Sequence, residues 1–139
     1  MSRLLGLDYG NARIGVAFGD ETRRIATPYC VISHQGWHPT ARSILKLMAA
    51  LQAQALVMGL PRNMDGSTGP QAQEVLGFAE VLRKMGVTVH LQDERLSSFE
   101  AEERLQAQGK NPRQIKTLVD QVAAAIILQS YLDKQGPGM

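Results

Sequence analysis

The first residue whose type and place suggest chemistry is Asp8. It follows the apolar run Leu4-Leu5-Gly6-Leu7 and precedes Tyr9-Gly10-Asn11, after which Ile14-Gly15-Val16-Ala17 resumes the apolar pattern. A carboxylate at the edge of a buried strand loses hydration, and a metal ion is a common compensating partner. The alternative is a hairpin in which Asp8 and Asn11 only shape the turn. Two further acidic positions bear on that choice. Val87-Thr88-Val89-His90-Leu91-Gln92 alternates like a strand and runs into Asp93-Glu94-Arg95. Near the C-terminus, Ile115, Leu118, Val119, Val122, Ile126 and Ile127 recur at helical spacing, with Asp120 at the rim of that stripe beside Ala123 and Ala124. Small residues there would let the helix approach a sheet closely and carry Asp120 towards Asp8. By itself Asp120 reads as an ordinary boundary residue; with Asp8 and Glu94 it reads as a third ligand.

Three converging carboxylates repel one another unless a cation binds among them. All-oxygen donors suit Mg²⁺ or Mn²⁺. Two such ions about 4 Å apart can activate a water and stabilise the leaving oxygen of a phosphodiester. Zinc does not fit, because the single cysteine, Cys30, and the three histidines His34, His38 and His90 lack the clustered spacing of a closed site. Gly36 and Pro39 argue against a shared helical face for His34 and His38, which read as loop residues. No Ser-His or Cys-His pair suggests nucleophilic catalysis.

The elements that must position these acids follow from periodicity. Residues 3–9, 12–19 and about 24–32 read as three strands in an antiparallel meander. A helix is expected over about 39–53, with Ile44, Leu45, Met48 and Leu51 on one face. Ala55 to Leu60 is wholly apolar, as in a strand buried on both faces, and a polar loop from Pro61 to Ser67 follows. Thr68 with Gln71 reads as a capping box for a helix to about Met85, stopped by Gly86. Residues 87–92 form the fifth strand, Ser97 with Glu100 caps a short helix, and Asn111-Pro112 starts a last helix to about Lys134. The pattern predicts an α/β mixed sheet, with right-handed crossovers making the fourth and fifth strands parallel to the first. Ligands collect beyond the carboxyl ends of such parallel strands. Asp8, the 61–67 loop and Asp93 with Glu94 all fall at that edge.

These motifs resemble those of the YqgF family, also called RuvX, the pre-16S rRNA nucleases. The resemblance rests on Leu5-Gly6-Leu7-Asp8-Tyr9-Gly10 with Arg13-Ile14-Gly15-Val16-Ala17, on Gly59-Leu60-Pro61 with Asp65-Gly66-Ser67, on Asp93-Glu94-Arg95-Leu96-Ser97-Ser98, and on Val119-Asp120 with Ala123-Ala124. It extends from residue 3 to about 132. It implies a ribonuclease H-like fold related to Holliday junction resolvases, and a Mg²⁺- or Mn²⁺-dependent nuclease, with two metals, that matures the 5′ end of small-subunit ribosomal RNA. By position, Asp8, Glu94 and Asp120 match the family's catalytic, metal-binding acids, with Asp93 ranked fourth. Gln121, where serine is frequent, and Phe18-Gly19 depart from the family pattern without removing an acid. The sheet order that follows is 3-2-1-4-5, with helices on both faces.

Arg13, Arg62, Arg95, Lys110, Arg113 and Lys116 are candidate phosphate contacts, the alternative for each being solvated surface charge. Arg95 could also hold its neighbouring carboxylates in place. The loop from Asn63 to Ser67 reads either as a plain turn or as a lid, and Trp37 as a loop anchor rather than a base-stacking platform. At 139 residues the chain reads as one domain over 1–134 with a frayed tail at 135–139. A net charge of +2 neither demands nor excludes nucleic acid. No apolar run approaches the ~20 residues that cross a bilayer, and no basic leader precedes the first strand, so the expected setting is cytoplasmic, away from membranes. The expected partner is a ribosomal RNA precursor, other structured nucleic acid or a pre-ribosomal particle, bound by a monomer or homodimer. A branched-DNA resolvase and a non-catalytic RNA-binding assembly factor are the rival functions. An actin-like ATPase does not fit so short a chain without a second copy of the first motif.

Overall fold

Side-chain alternation divides the first strand between two cores. In β1 (Arg3–Tyr9), Leu5, Leu7 and Tyr9 point to one side of the sheet, whereas Leu4, Gly6 and Asp8 point to the other. β2 (Arg13–Asp20) and β3 (Ala26–Ser33) complete an antiparallel meander through short turns. The chain continues through α1 (Trp37–Leu51), β4 (Ala55–Pro61), α2 (Pro70–Lys84), β5 (Val89–Glu94), α3 (Ser97–Ala107) and α4 (Pro112–Lys134). The computed structural model describes residues 2–61, 65, 67, 69–94 and 97–134, with the backbone alone at 94, 97 and 98. The sheet order is β3-β2-β1-β4-β5, and β4 and β5 run parallel to β1. The meander, the parallel direction of β4 and β5 and the strand order match the sequence expectation. The expected tail at 135–139 lies outside the described residues.

Large side chains fill one face. Leu5, Leu7, Ile14, Val16, Leu56 and Met58 pack from the sheet against Ile44 of α1 and Val75, Phe78 and Leu82 of α2. On the other face small residues let the α4 backbone close on the sheet, and larger side chains fill in around that contact. Leu4, Ala17, Ala55 and Val57 meet Ala124, Ala125, Ile127, Leu128 and Leu132 of α4, and α3 rests on α4 through Ala101, Ala123 and Ile126. β4 lies between the two cores, so six of its seven residues are buried. That is why its sequence shows no alternation.

Local signals placed most helix ends. Asn111 Oδ1 accepts from the Gln114 N–H while Gln114 Oε1 accepts from the Asn111 N–H, both at 2.9 Å, a reciprocal cap for α4. Gly86, at φ +90°, closes α2 with the Val87 N–H donating to the Leu82 carbonyl at 3.1 Å. Elsewhere tertiary contacts moved the ends. α2 starts at Pro70 behind Gly69; Thr68, the expected capping-box residue, lies outside the described residues, and the Gln71 side chain donates to the Tyr9 carbonyl at 3.2 Å. Ser97 is already inside α3, and Glu100 faces Arg104 at 3.6 Å one turn on. α1 begins at Trp37, so Trp37 and His38 are helical rather than loop residues; Pro39 sits in the first turn, where its missing N–H costs nothing. β5 starts at Val89 and continues through Asp93 and Glu94, because pairing with Leu60 and Pro61 of β4 persists to that point.

Candidate functional site

The end of β1 and the middle of α4 meet over a glycine. Asp8 pairs with Gly15 across the β1–β2 ladder, and a Cβ at Gly15 would overlap the carbonyl of Asp120. At Gly6 a Cβ would stand 2.7 Å from the Leu128 Cβ and 2.9 Å from the Ala124 carbonyl oxygen. The α4 backbone therefore lies directly on β1 and β2, along the line from Gly6 to Gly15. Asp8 is two residues beyond Gly6, on the same face of its strand. The structure thus brings Asp8 and Asp120 to one place, as the small residues Ala123 and Ala124 suggested. The expected apolar stripe of α4 is corrected in its first half. Ile115, Leu118, Val119 and Val122 are only half-buried, because burial deepens where the helix crosses the sheet, from Ala123 to Leu128.

Asp120 is held by a cation from the neighbouring strand. Arg13 Nε donates to Asp120 Oδ2 at 2.9 Å, with the Arg13 side chain 53% exposed and that of Asp120 22% exposed. Arg113 and Lys116, both exposed, stand two turns and one turn before Asp120 in α4, so helical geometry puts them on its side of the helix. Lys110 precedes the helix in the α3–α4 connection and is half-buried. Asp93 pairs with Leu60, whose side chain belongs to the α1–α2 core; it is therefore on the face of the sheet away from Asp8 and α4. Glu94 follows it at the carboxyl end of β5, in register with Pro61. Arg62, Asn63 and Arg95 lie outside the described residues, as does the side chain of Glu94. In the 61–67 loop, Asp65 Oδ1 accepts from the Ser67 N–H at 2.9 Å and from the Ser67 hydroxyl at 2.6 Å, a local turn.

A polar cluster that the sequence did not reveal lies on the opposite face of β1. Tyr9 Oη accepts from Trp37 Nε1 at 3.0 Å and donates to Glu74 Oε2 at 3.3 Å. His34 Nδ1 accepts from the Gly36 N–H at 3.1 Å, so its proton is on Nε2, which meets Tyr9 Oη at 2.8 Å as a donor. Every lone pair and proton of the hydroxyl is thereby used. Burial pushes the Tyr9 hydroxyl above its ordinary pKa; the Trp37 hydrogen bond opposes this and the Glu74 charge adds to it. The alternation Leu5–Leu7–Tyr9 was the only signal available, and it marks Tyr9 as buried without naming its partners.

Two residues with hard oxygen donors, Asp8 and Asp120, stand on backbone segments that meet at Gly15, and Asp120 already binds a cationic group. Such a donor set fits Mg²⁺ or Mn²⁺. Among the described side chains, which do not include Glu94, no three His, Cys, Asp or Glu residues gather as ligands.

Comparison with known proteins agrees with this geometry. The family model RuvX, described as Holliday junction resolvase, matches residues 2–134. A protein of Anaeromyxobacter sp. (strain Fw109-5) named "Putative pre-16S rRNA nuclease" is 48% identical over 132 residues, covering 94% of this chain and 96% of that protein. One of the same name from Chloroflexus aurantiacus (strain ATCC 29366 / DSM 635 / J-10-fl) is 44% identical over 134 residues, covering 94% of this chain and 86% of that one. In fold, the chain is similar to Thermus thermophilus RuvC in complex with a Holliday junction substrate, with TM-score 0.55, 15% identity and 98% and 97% of the two chains covered. Fowlpox virus resolvase in complex with Holliday junction DNA gives TM-score 0.60 at 9% identity, over 97% and 99%. The sheet is therefore ribonuclease H-like, and the match in sequence over almost the whole length shows that this chain belongs to the RuvX (YqgF) family.

Proposed function

We propose that this protein is a divalent-metal-dependent phosphodiester nuclease that matures the 5′ end of precursor small-subunit ribosomal RNA, in the cytoplasm. The observation that carries the reading is the seating of the Asp120 backbone on Gly15, the strand partner of Asp8. That contact supports a reading in which two carboxylates from distant parts of the chain act together at the carboxyl edge of the sheet. Asp8 and Asp120, with Glu94 from the end of β5, would hold Mg²⁺ or Mn²⁺, as a pair of ions if all three take part. Bound there, the metal would supply an activated water and charge stabilisation for the departing oxygen. The chain's own residues do the rest. Arg113 and Lys116, on the Asp120 side of α4, attract and orient the phosphate backbone, with Lys110 beside them; Arg62 and Arg95 are proposed for the same task. The names of the sequence relatives support an RNA substrate.

A branched-DNA resolvase is the second reading, favoured by the family model's description. One experiment separates the two: purified protein is offered precursor ribosomal RNA and a four-way DNA junction, with Mg²⁺, Mn²⁺ or EDTA. Cleavage of the RNA at the mature 5′ end, lost in EDTA, is expected. Cleavage of the junction alone replaces the substrate. Binding of the RNA with no cleavage under any condition would make the protein an assembly factor.

A further inference from the structure

The Arg13–Asp120 ion pair is unequal in freedom. Asp120 cannot withdraw, because its backbone is lodged against Gly15. Arg13 is the first residue of β2, and its side chain is more than half exposed, so it can swing into solvent without disturbing either core. The bond itself is a single one, from Nε to Oδ2, rather than a two-pronged clamp. A mobile monovalent cation therefore sits on a fixed carboxylate that the proposed reading assigns to a divalent ion.

We infer that Arg13 is an exchangeable counter-ion. It neutralises Asp120 in the metal-free protein, gives up the carboxylate when Mg²⁺ or Mn²⁺ arrives, and is thereby released to grip a phosphate of the nucleic-acid strand. The inference rests on the metal-nuclease reading and goes beyond it, since it makes metal and nucleic acid help each other to bind. A residue that leaves the metal ligand and joins the substrate couples the two equilibria, and such coupling is reciprocal. A guanidinium has the donors for the second task, because five N–H groups in a fixed fork suit phosphate as well as carboxylate.

The test measures Mn²⁺ affinity by calorimetry, with and without a short single-stranded phosphorothioate RNA, for the wild type, Arg13→Gln and Asp120→Asn. Without RNA, Arg13→Gln should bind Mn²⁺ about two- to fivefold more tightly, since a competitor of ordinary exposed ion-pair strength has gone. In the wild type, RNA and Mn²⁺ should each tighten the other; in Arg13→Gln this mutual effect should shrink to the part that the metal's own contact with phosphate supplies. A second measurement needs no variant: the Arg13 Nε–H resonance, followed by NMR, should shift when Mg²⁺ saturates the protein. If Arg13→Gln binds Mn²⁺ no more tightly than the wild type, the exchange is overturned. If Mn²⁺ tightens but the resonance stays put, only the long-range charge of Arg13 opposes the metal, and the exchange is again overturned. If Asp120→Asn keeps full Mn²⁺ affinity, the metal-centre reading itself fails. Loss of Mn²⁺ in Asp120→Asn together with unchanged affinity in Arg13→Gln sinks the exchange alone.

Discussion

The two faces of β1 solve opposite problems within two adjacent residues. Tyr9 turns into a filled core, where His34, Trp37 and Glu74 satisfy its hydroxyl completely. Asp8 turns the other way, to the face where α4 lies backbone-on-backbone against Gly6 and Gly15. The first face is held by bulk and by hydrogen bonds, one of them to the Glu74 carboxylate. On the second, glycines and alanines bring the α4 backbone onto the sheet beside the buried Ile127, Leu128 and Leu132, and so let Arg13 meet Asp120. Stability is concentrated on one side of the strand and chemistry on the other. The contrast explains why an aspartate can stand next to a buried tyrosine: the tyrosine network fixes the strand end from which the aspartate projects.

The sharpest way to break this contrast is on the charged face. Asp8→Asn, Glu94→Gln and Asp120→Asn should each lower cleavage by ~10³-fold or more, the scale of losing metal-assisted stabilisation worth several kcal/mol. Circular dichroism should show the fold retained. Substantial cleavage by contaminant-free Asp8→Asn protein would remove Asp8 from the site.

Next in size is Gly15→Ala. The added methyl overlaps the Asp120 backbone, which cannot yield as a flexible side-chain end would, so about 3 kcal/mol of stability should be lost in urea unfolding. Activity should fall with it, because relief requires α4 to lift away from β2. A neutral Gly15→Ala would mean that the close approach is not needed.

On the opposite face, Tyr9→Phe should cost about 2 kcal/mol by leaving the half-buried His34 and Trp37 donors and the Glu74 carboxylate without their partner. Mn²⁺ affinity should hardly change, which is the asymmetry between the faces in measurable form. The same variant tests the alkaline limit. Burial, outweighing the Trp37 hydrogen bond, raises the Tyr9 pKa above its ordinary value near 10. The folded state therefore holds this proton more tightly than the unfolded state. Its stabilisation is full below pH ~10 and is lost as pH rises through the raised value. Denaturation curves across that window should converge for wild type and Tyr9→Phe.

The smallest effect is expected at the rim. Replacing Lys110, Arg113 and Lys116 together by Ala should weaken RNA binding by about tenfold. The salt dependence should flatten by ~0.7 log units per decade of salt for each phosphate no longer neutralised. All sequences should be affected alike. An unchanged slope would make this stretch ordinary surface and shift the substrate path towards Arg13.

By itself the amino-acid sequence determined what depends on near neighbours. Alternation set the strands, Asn111-Pro112 and Gly86 set helix ends, and crossover handedness put Asp8 and Glu94 at one edge, because these rules act over a few residues or a single connection. The Ala123-Ala124 pair even foretold a close helix. Local rules missed the Gln71 hydrogen bond to the Tyr9 carbonyl at the start of α2. They also ended β5 too early, since the pairing that extends it comes from β4. They gave no sign that Asp93 and Asp8 fall on opposite faces, because that depends on register between strands. Tertiary structure alone decided which charges meet. Arg13 and Asp120 are 107 residues apart, and Tyr9 and Glu74 are 65 apart. No periodicity spans such distances, and their partners are fixed only when α4 settles on Gly15 and α2 closes over β1.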